Sequence, residues 1–155
     1  MRIGSGWDIH PLVENRKLML GGCIIPSDKG EAGHSDGDVL VHAIIDALLG
    51  AMAKGDIGSH FPDNDPAYKD ADSLKLLKQV VQQELFPYLI ENLDTTIILQ
   101  QPKLRPYIDT IREKLAQTLN LRLDQVSVKA KTAEGLLNEL GSGDAVIAQA
   151  TVLLS

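Results

Sequence analysis

The sequence predicts an α/β (α+β) sandwich, a mixed β-sheet with helices on one face. Three features predict it. Short β-branched or alternating runs interleave with helix-period runs through the second half, as they do in layered α/β chains. Val39 to Ala53 is a strong helical segment, with Val39, Ile44, Ala47, Leu48 and Ala51 at helical spacing. The 155 residues are 44% hydrophobic but only 4% aromatic, which suits one domain, residues 1–155, with an aliphatic core.

The elements follow in order. Met1 to His10 reads as a strand with glycines at 4 and 6. Pro11 to Arg16 is polar enough for a hairpin loop, and Lys17 to Ile25 reads as a second strand broken at Pro26. Ser35, Asp36 or Asp38 is placed to cap the Val39 helix. Gly55 to Ala71 is a Gly-, Pro- and Asp-rich loop, of a length that tends to be functional or disordered. Asp72-Ser73 starts a helix running to about Leu85. Thr95 to Leu99 is β-branched and reads as a buried strand. Pro102 and Pro106 flank a turn into a helix of about Ile108 to Leu119. Gln125 to Lys131 sets Val126, Val128 and Ala130 against Ser127, Lys129 and Lys131, the pattern of a half-buried strand. Ala145 to Leu154 is a last, strongly apolar strand.

Charge and cysteine content exclude several classes. A net charge of −6 argues against a nucleic-acid footprint, which needs clustered Lys and Arg. An anionic substrate then needs metals and local N–H groups to supply positive charge. Cys23 is the only cysteine, so no disulfide within the chain and no thiolate-cage zinc site is available. It lies in an apolar run and reads as a small core residue rather than a nucleophile. No signal-like N-terminus and no apolar run of membrane-spanning length is visible. The expectation is a soluble chain, cytoplasmic or in an organelle stroma if a targeting segment has been removed.

Three of the four histidines fall within the first 42 residues. Asp8 and His10 are two apart, so on a strand they share a face. His42 shares a helical face with Asp38 and Asp46. Taken singly, each also fits an ordinary hydrogen-bonded group. Together, a carboxylate and two imidazoles suit a borderline-soft divalent cation, zinc first, with three protein ligands leaving the fourth position open. Asp46 or Asp38 is placed to hold the imidazole of His42 from behind. Gly33 to Asp38 enters the helix, where free N–H groups suit phosphate, with His34 and Ser35 as added donors. Asp63 and Asp65 fit either a sugar hydroxyl or a turn, and His60 reads as solvated. Glu134 is a candidate ligand for a harder cation such as magnesium, and Thr132 a donor to a phosphoryl oxygen.

In order along the chain stand Asp8-Ile9-His10, Ala32-Gly33-His34-Ser35-Asp36-Gly37-Asp38, His42 with Asp46-Ala47-Leu48-Leu49-Gly50, Gly55-Asp56-Ile57-Gly58 and Phe61-Pro62-Asp63. Ala71-Asp72-Ser73, Gln100-Gln101-Pro102-Lys103-Leu104 and Lys129-Ala130 follow. Across nearly its whole length the sequence therefore resembles the 2-C-methyl-D-erythritol 2,4-cyclodiphosphate synthase family. The resemblance implies a ferredoxin-like fold and a homotrimer with active sites between subunits. It implies zinc on Asp8, His10 and His42, and magnesium or manganese on Glu134. His34 and Thr132 match the positions that stabilise the transition state. Leu99, Pro102, Lys103, Leu104 and Arg105 match the segment that cradles cytosine. Ser35, Asp56, Gly58, Phe61, Asp63 and Asp65 match further substrate contacts. The implied reaction releases CMP from 4-diphosphocytidyl-2-C-methylerythritol 2-phosphate, a cytidine diphosphate compound, and closes a cyclodiphosphate. The chain departs from the family after Glu134, where Gly135 to Gly143 lacks the usual aromatic residue and phosphate-contacting Arg. Lys131, where many members have Thr, is expected to compensate. The same residues also fit a metal-dependent phosphohydrolase or a non-catalytic nucleotide-binding module.

Overall fold

The computed structural model describes residues 1–62 and 64–155, so the expectation for Asp63 falls outside the described residues. The main sheet has five strands in the order β4 (Lys29–Glu31), β1 (Arg2–Glu14), β7 (Ala145–Leu154), β5 (Ile90–Ile98), β6 (Val126–Lys131). β5 and β6 run parallel and the other neighbours antiparallel, so the sheet is mixed, as expected. The helices α1 (Val39–Met52), α3 (Ser73–Glu84) and α4 (Ile108–Leu119) lie close to their predicted limits. α2 (Ile57–His60) is a single turn inside the predicted long loop.

The first third of the chain departs from expectation. β1 does not stop at His10 but runs to Glu14, because Leu12, Val13 and Glu14 pair with Glu31, Gly30 and Lys29. A stretch as polar as Lys29-Gly30-Glu31 carries no strand signal of its own; tertiary pairing makes it one. Lys17 to Ile25 is a hairpin rather than one strand. β2 (Leu18–Leu20) folds back on β3 (Cys23–Ile25) at Gly21 and Gly22, both with positive φ (62° and 76°), as a two-residue Gly-Gly turn requires.

The core forms where α1 crosses β1 and β7. Gly4 and Gly6 are placed for this: a Cβ on them would sit 1.8 Å from the Ala47 carbonyl oxygen and 1.9 Å from that of Ala43. Two residues without side chains, facing the alanines of α1, let helix and sheet approach closely. α1 is buried on almost every side, with only Asp46 and Gly50 outside the buried set. The other face of the sheet is largely open, with Ile3 72% and Trp7 51% exposed. Only at one end does a small cluster of Ala133, Leu140, Ala145 and Ile147 cover it, with Leu140 from α5 (Glu139–Ser142). So three helices share one face, and α5 sits on the opposite one.

Candidate metal centre and nucleotide cleft

Asp8 and His10 occupy alternate positions of β1, and His42 lies in the second turn of α1. Packing the helix against the strand brings them together. The Asp8 Oδ2 lies 3.0 Å from His10 Nε2 and 3.0 Å from His42 Nδ1, and the two ring nitrogens are 3.2 Å apart. Donor atoms around a tetrahedral zinc with bonds of about 2.0–2.1 Å are roughly 3.3 Å apart, so this triangle fits one ion with its fourth corner open. Burial alone would raise the Asp8 pKa, but hydrogen bonds and charge from His10 and His42 bring it down to about 2. Burial likewise opposes a charge on His10, yet Asp8 outweighs it and the pKa is raised. The site therefore keeps an anionic carboxylate facing two imidazoles.

The outer nitrogens of both rings are held. His10 Nδ1 lies 3.2 Å from the Ala32 carbonyl oxygen. His42 Nε2 lies 2.9 Å from Ser73 Oγ and 3.2 Å from Ser35 Oγ. Neither Asp46 nor Asp38 takes the role expected for it behind His42. Asp46 accepts the Ile57 N–H at 2.7 Å. Asp38 is the N-cap of α1 and lies outside the helical spiral, where four-residue spacing no longer applies. Its buried carboxylate accepts N–H bonds from Gly21, Gly22 and Val41 at 3.0, 2.6 and 3.0 Å. Of these three donors only Val41 belongs to the helix, so the carboxylate takes one of the N–H groups at its N-terminus. Ser73, Asp36 and Tyr68 escaped the sequence reading, since the first two read only as capping residues and Tyr68 falls in a stretch read as loop, where the structure forms one short 3-10 turn, Pro66–Tyr68.

The triangle opens into a cleft of about 260 Å³ lined by Gly33, His34, Ser35, Ile57, Gly58, Phe61, Tyr68 and Leu76. Phe61 is buried, with its ring edge-on to Tyr68 at 5.3 Å. His34 stands half-buried at the rim, its Nε2 3.4 Å from the Asp65 carbonyl oxygen. Asp56 caps α2 through Ser59 N–H at 2.9 Å, and Asp65 accepts Ala67 N–H at 2.9 Å. Asp65 thereby caps the turn that follows it. His60 is not simply solvated: its Nε2 lies 2.9 Å from the Lys54 carbonyl oxygen. Cys23 packs against the core but stays half-buried, its Sγ 3.8 Å from the Thr110 carbonyl oxygen.

A second cleft of about 450 Å³ gathers Leu99, Pro102, Lys103, Leu104, Arg105, Lys131 and Thr132. Thr132 Oγ1 donates to Glu134 Oε1 at 2.6 Å. Glu134 has φ of 53°, the left-handed region. Lys129 is paired with Asp94 at 2.6 Å, whereas Lys131 is exposed and makes no ion pair among the described residues. The two clefts share no residue. Asp8 pairs with Ala148, Ala148 with Ile97, and Ile97 with Ala130, which puts Asp8 and Ala130 three strand spacings, roughly 14 Å, apart. The predicted site residues therefore form two groups on one chain rather than one cluster.

The sequence matches the YgbB family over residues 1–155. The chain belongs to the YgbB family. Other YgbB-like proteins resemble it along its full length. The 2-C-methyl-D-erythritol 2,4-cyclodiphosphate synthase of Clostridium perfringens is 58% identical, covering 99% of both chains. A solved 2C-methyl-D-erythritol-2,4-cyclodiphosphate synthase with CDP bound superimposes with a TM-score of 0.91 at 38% identity, covering 99% of this chain and 100% of that one. The bifunctional IspDF of Campylobacter jejuni gives a TM-score of 0.93 at 38% identity, and this YgbB-family chain spans 42% of its length.

Proposed function

We propose that this chain converts 4-diphosphocytidyl-2-C-methyl-D-erythritol 2-phosphate to 2-C-methyl-D-erythritol 2,4-cyclodiphosphate and CMP, in the non-mevalonate route to isoprenoids. The observation that carries the reading is the triangle of Asp8, His10 and His42, with an open corner beside His34 in a chain of this family. An oxygen of the 2-phosphate attacks the β-phosphorus. The bond from that phosphorus to the oxygen bridging it to the α-phosphate breaks, and CMP leaves with the bridging oxygen. The attacking oxygen is already ionised, so no strong base is needed. Catalysis rests on alignment and on neutralising charge. Zinc on Asp8, His10 and His42, and magnesium or manganese on Glu134, supply positive charge to the phosphates when bound. His34 and Thr132 donate hydrogen bonds to phosphoryl oxygens in the transition state. Lys131 takes the phosphate contact that the Gly135 to Gly143 stretch lacks. Leu99, Pro102, Lys103, Leu104 and Arg105 hold the cytosine. Ser35, Asp56, Gly58, Phe61, Asp63 and Asp65 hold the rest of the substrate. The reaction class is a phosphorus–oxygen lyase.

We read the chain as one domain, a ferredoxin-like sandwich working in the cytoplasm as a homotrimer, in which the metal centre of one copy meets the nucleotide cleft of the next. Two separate half-sites on one chain support that assembly. No helix among the described residues is long and apolar enough to cross a membrane. The test is incubation with the diphosphocytidyl phosphate substrate and magnesium, followed by mass analysis. Cyclodiphosphate and CMP are expected, and His42→Ala is expected to abolish both along with zinc binding. A linear product would make the chain a phosphohydrolase, and binding without CMP release a nucleotide-binding module.

A further inference from the structure

We infer that Ser73 and Asp36 are positioning residues that hold the His42 ring from its Nε2 side and so aim Nδ1 at the metal. The inference rests on the metal reading of the Asp8, His10 and His42 triangle. The triangle uses His42 Nδ1, which must then carry a bare lone pair, so the ring proton belongs on Nε2. Asp8 Oδ2, 3.0 Å from Nδ1, competes for that proton until a metal takes the nitrogen. Ser73 and Asp36 act on the opposite nitrogen. Ser73 is fully buried and its Oγ lies 2.9 Å from Nε2. The Ser73 hydroxyl hydrogen is already committed, because Oγ donates to Asp36 Oδ1. Only a lone pair of Oγ remains for His42, so the Ser73 contact is a hydrogen bond when Nε2 donates, as it does once Nδ1 binds a metal. Ser35 Oγ, at 3.2 Å, is the longer contact and also accepts the Gly37 N–H at 3.2 Å.

Asp36 gives the chain its direction. Three donors converge on its carboxylate: Ser73 Oγ, Ser73 N–H at 3.0 Å and Asp38 N–H at 3.2 Å. An acceptor-only group satisfies all three. Its own backbone N–H bonds the Ala71 carbonyl oxygen at 3.1 Å, tying the loop before α1 to the start of α3. The start of α3 thus serves as the support behind the ligand, and the order from ring to carboxylate is donor, acceptor, donor, acceptor. Such partners behind a metal-bound histidine are typically worth 10–100-fold in metal affinity.

The test reads metal affinity and the back of the ring separately. Zinc affinity is measured by chelator competition, and the His42 Nε2 proton of the zinc-bound protein by the solvent exchange of its NMR resonance, with circular dichroism as the folding control. In the unaltered protein that proton is expected to exchange slowly. Ser73→Ala is expected to bind zinc about 10–100-fold more weakly and to speed that exchange, and Ser73→Thr to restore both. Asp36→Asn replaces one acceptor oxygen by a donor facing other donors, so it is expected to lose affinity in the same way. Ala and Asn variants that bind zinc within twofold of the unaltered protein, or that leave the exchange unchanged, would overturn the inference. Absence of zinc binding by the unaltered protein would instead overturn the metal reading on which the inference rests.

Discussion

Glu31 is a fully buried carboxyl with one oxygen lacking a hydrogen-bond partner among the described residues. Its other oxygen accepts the Met19 N–H at 2.8 Å. Burial, with the charge of Asp38 added, pushes its pKa up to about 9. At neutral pH it is therefore a neutral acid in the fold and an anion in the unfolded chain. Between the unfolded value of about 4.5 and about 9 the folded state holds a proton that the unfolded state releases. Stability contributed by Glu31 is thus complete below about pH 4.5 and falls as pH rises through that window. Glu31→Gln removes this titration. The melting temperature of the variant relative to the unaltered chain should rise steadily from pH 5 to pH 9. A constant difference across that range would show that Glu31 is not buried in neutral form.

The pairing of β1 with α1 depends on two missing side chains. Gly6→Ala would place a methyl 1.9 Å from the Ala43 carbonyl oxygen. Backbone cannot yield as a flexible side chain does, so strand and helix must separate. The expected cost is that of overpacking, about 1–3 kcal/mol or more. The same displacement pulls Asp8 and His10 away from His42, since one element carries two ligands and the other the third. Zinc affinity should therefore fall together with the midpoint of denaturant unfolding. A Gly6→Ala protein with unchanged midpoint and affinity would mean that the close approach is not needed. Asp46 links the next element to this pair by holding the N-terminus of α2 at Ile57, which sets Gly58 and Phe61 at the cleft wall.

At the scale of the whole molecule, the sheet has an open apolar face and the candidate site residues fall into two separate clefts on one chain. Ile3, Trp7 and Ile9 project from the uncovered side of β1 with 72%, 51% and 42% exposure. The proposed homotrimer would resolve both features, with copies associating through this face and each metal centre meeting a neighbour's second cleft. Trp7→Lys, on that face but outside both clefts, should lower the mass found by sedimentation to that of one chain. CMP release should be lost, while zinc binding by the folded single chain persists. An unaltered chain that sediments as a monomer and still releases CMP would refute the shared site.

The sequence by itself determined the three long helices, the mixed sheet and the candidates for the metal triangle. Each rests on local spacing: Asp8 and His10 share a strand face, and Val39 to Met52 is apolar at helical period. It also carried the family's motifs in order, and with them most residues of the two clefts, though not Tyr68 or Leu76. What the tertiary structure alone decided is which groups are already satisfied. Lys29-Gly30-Glu31 became a strand only because Leu12 to Glu14 was there to pair with it. Asp38, read both as a candidate cap and as a neighbour of His42, is the cap, and two of the three N–H groups converging on it come from the distant Gly21 and Gly22. Ser73, spaced 31 residues from His42 in sequence, became its partner. Hydrogen-bond partners are set by proximity in space, and residue spacing encodes that only within a single helix, strand or turn.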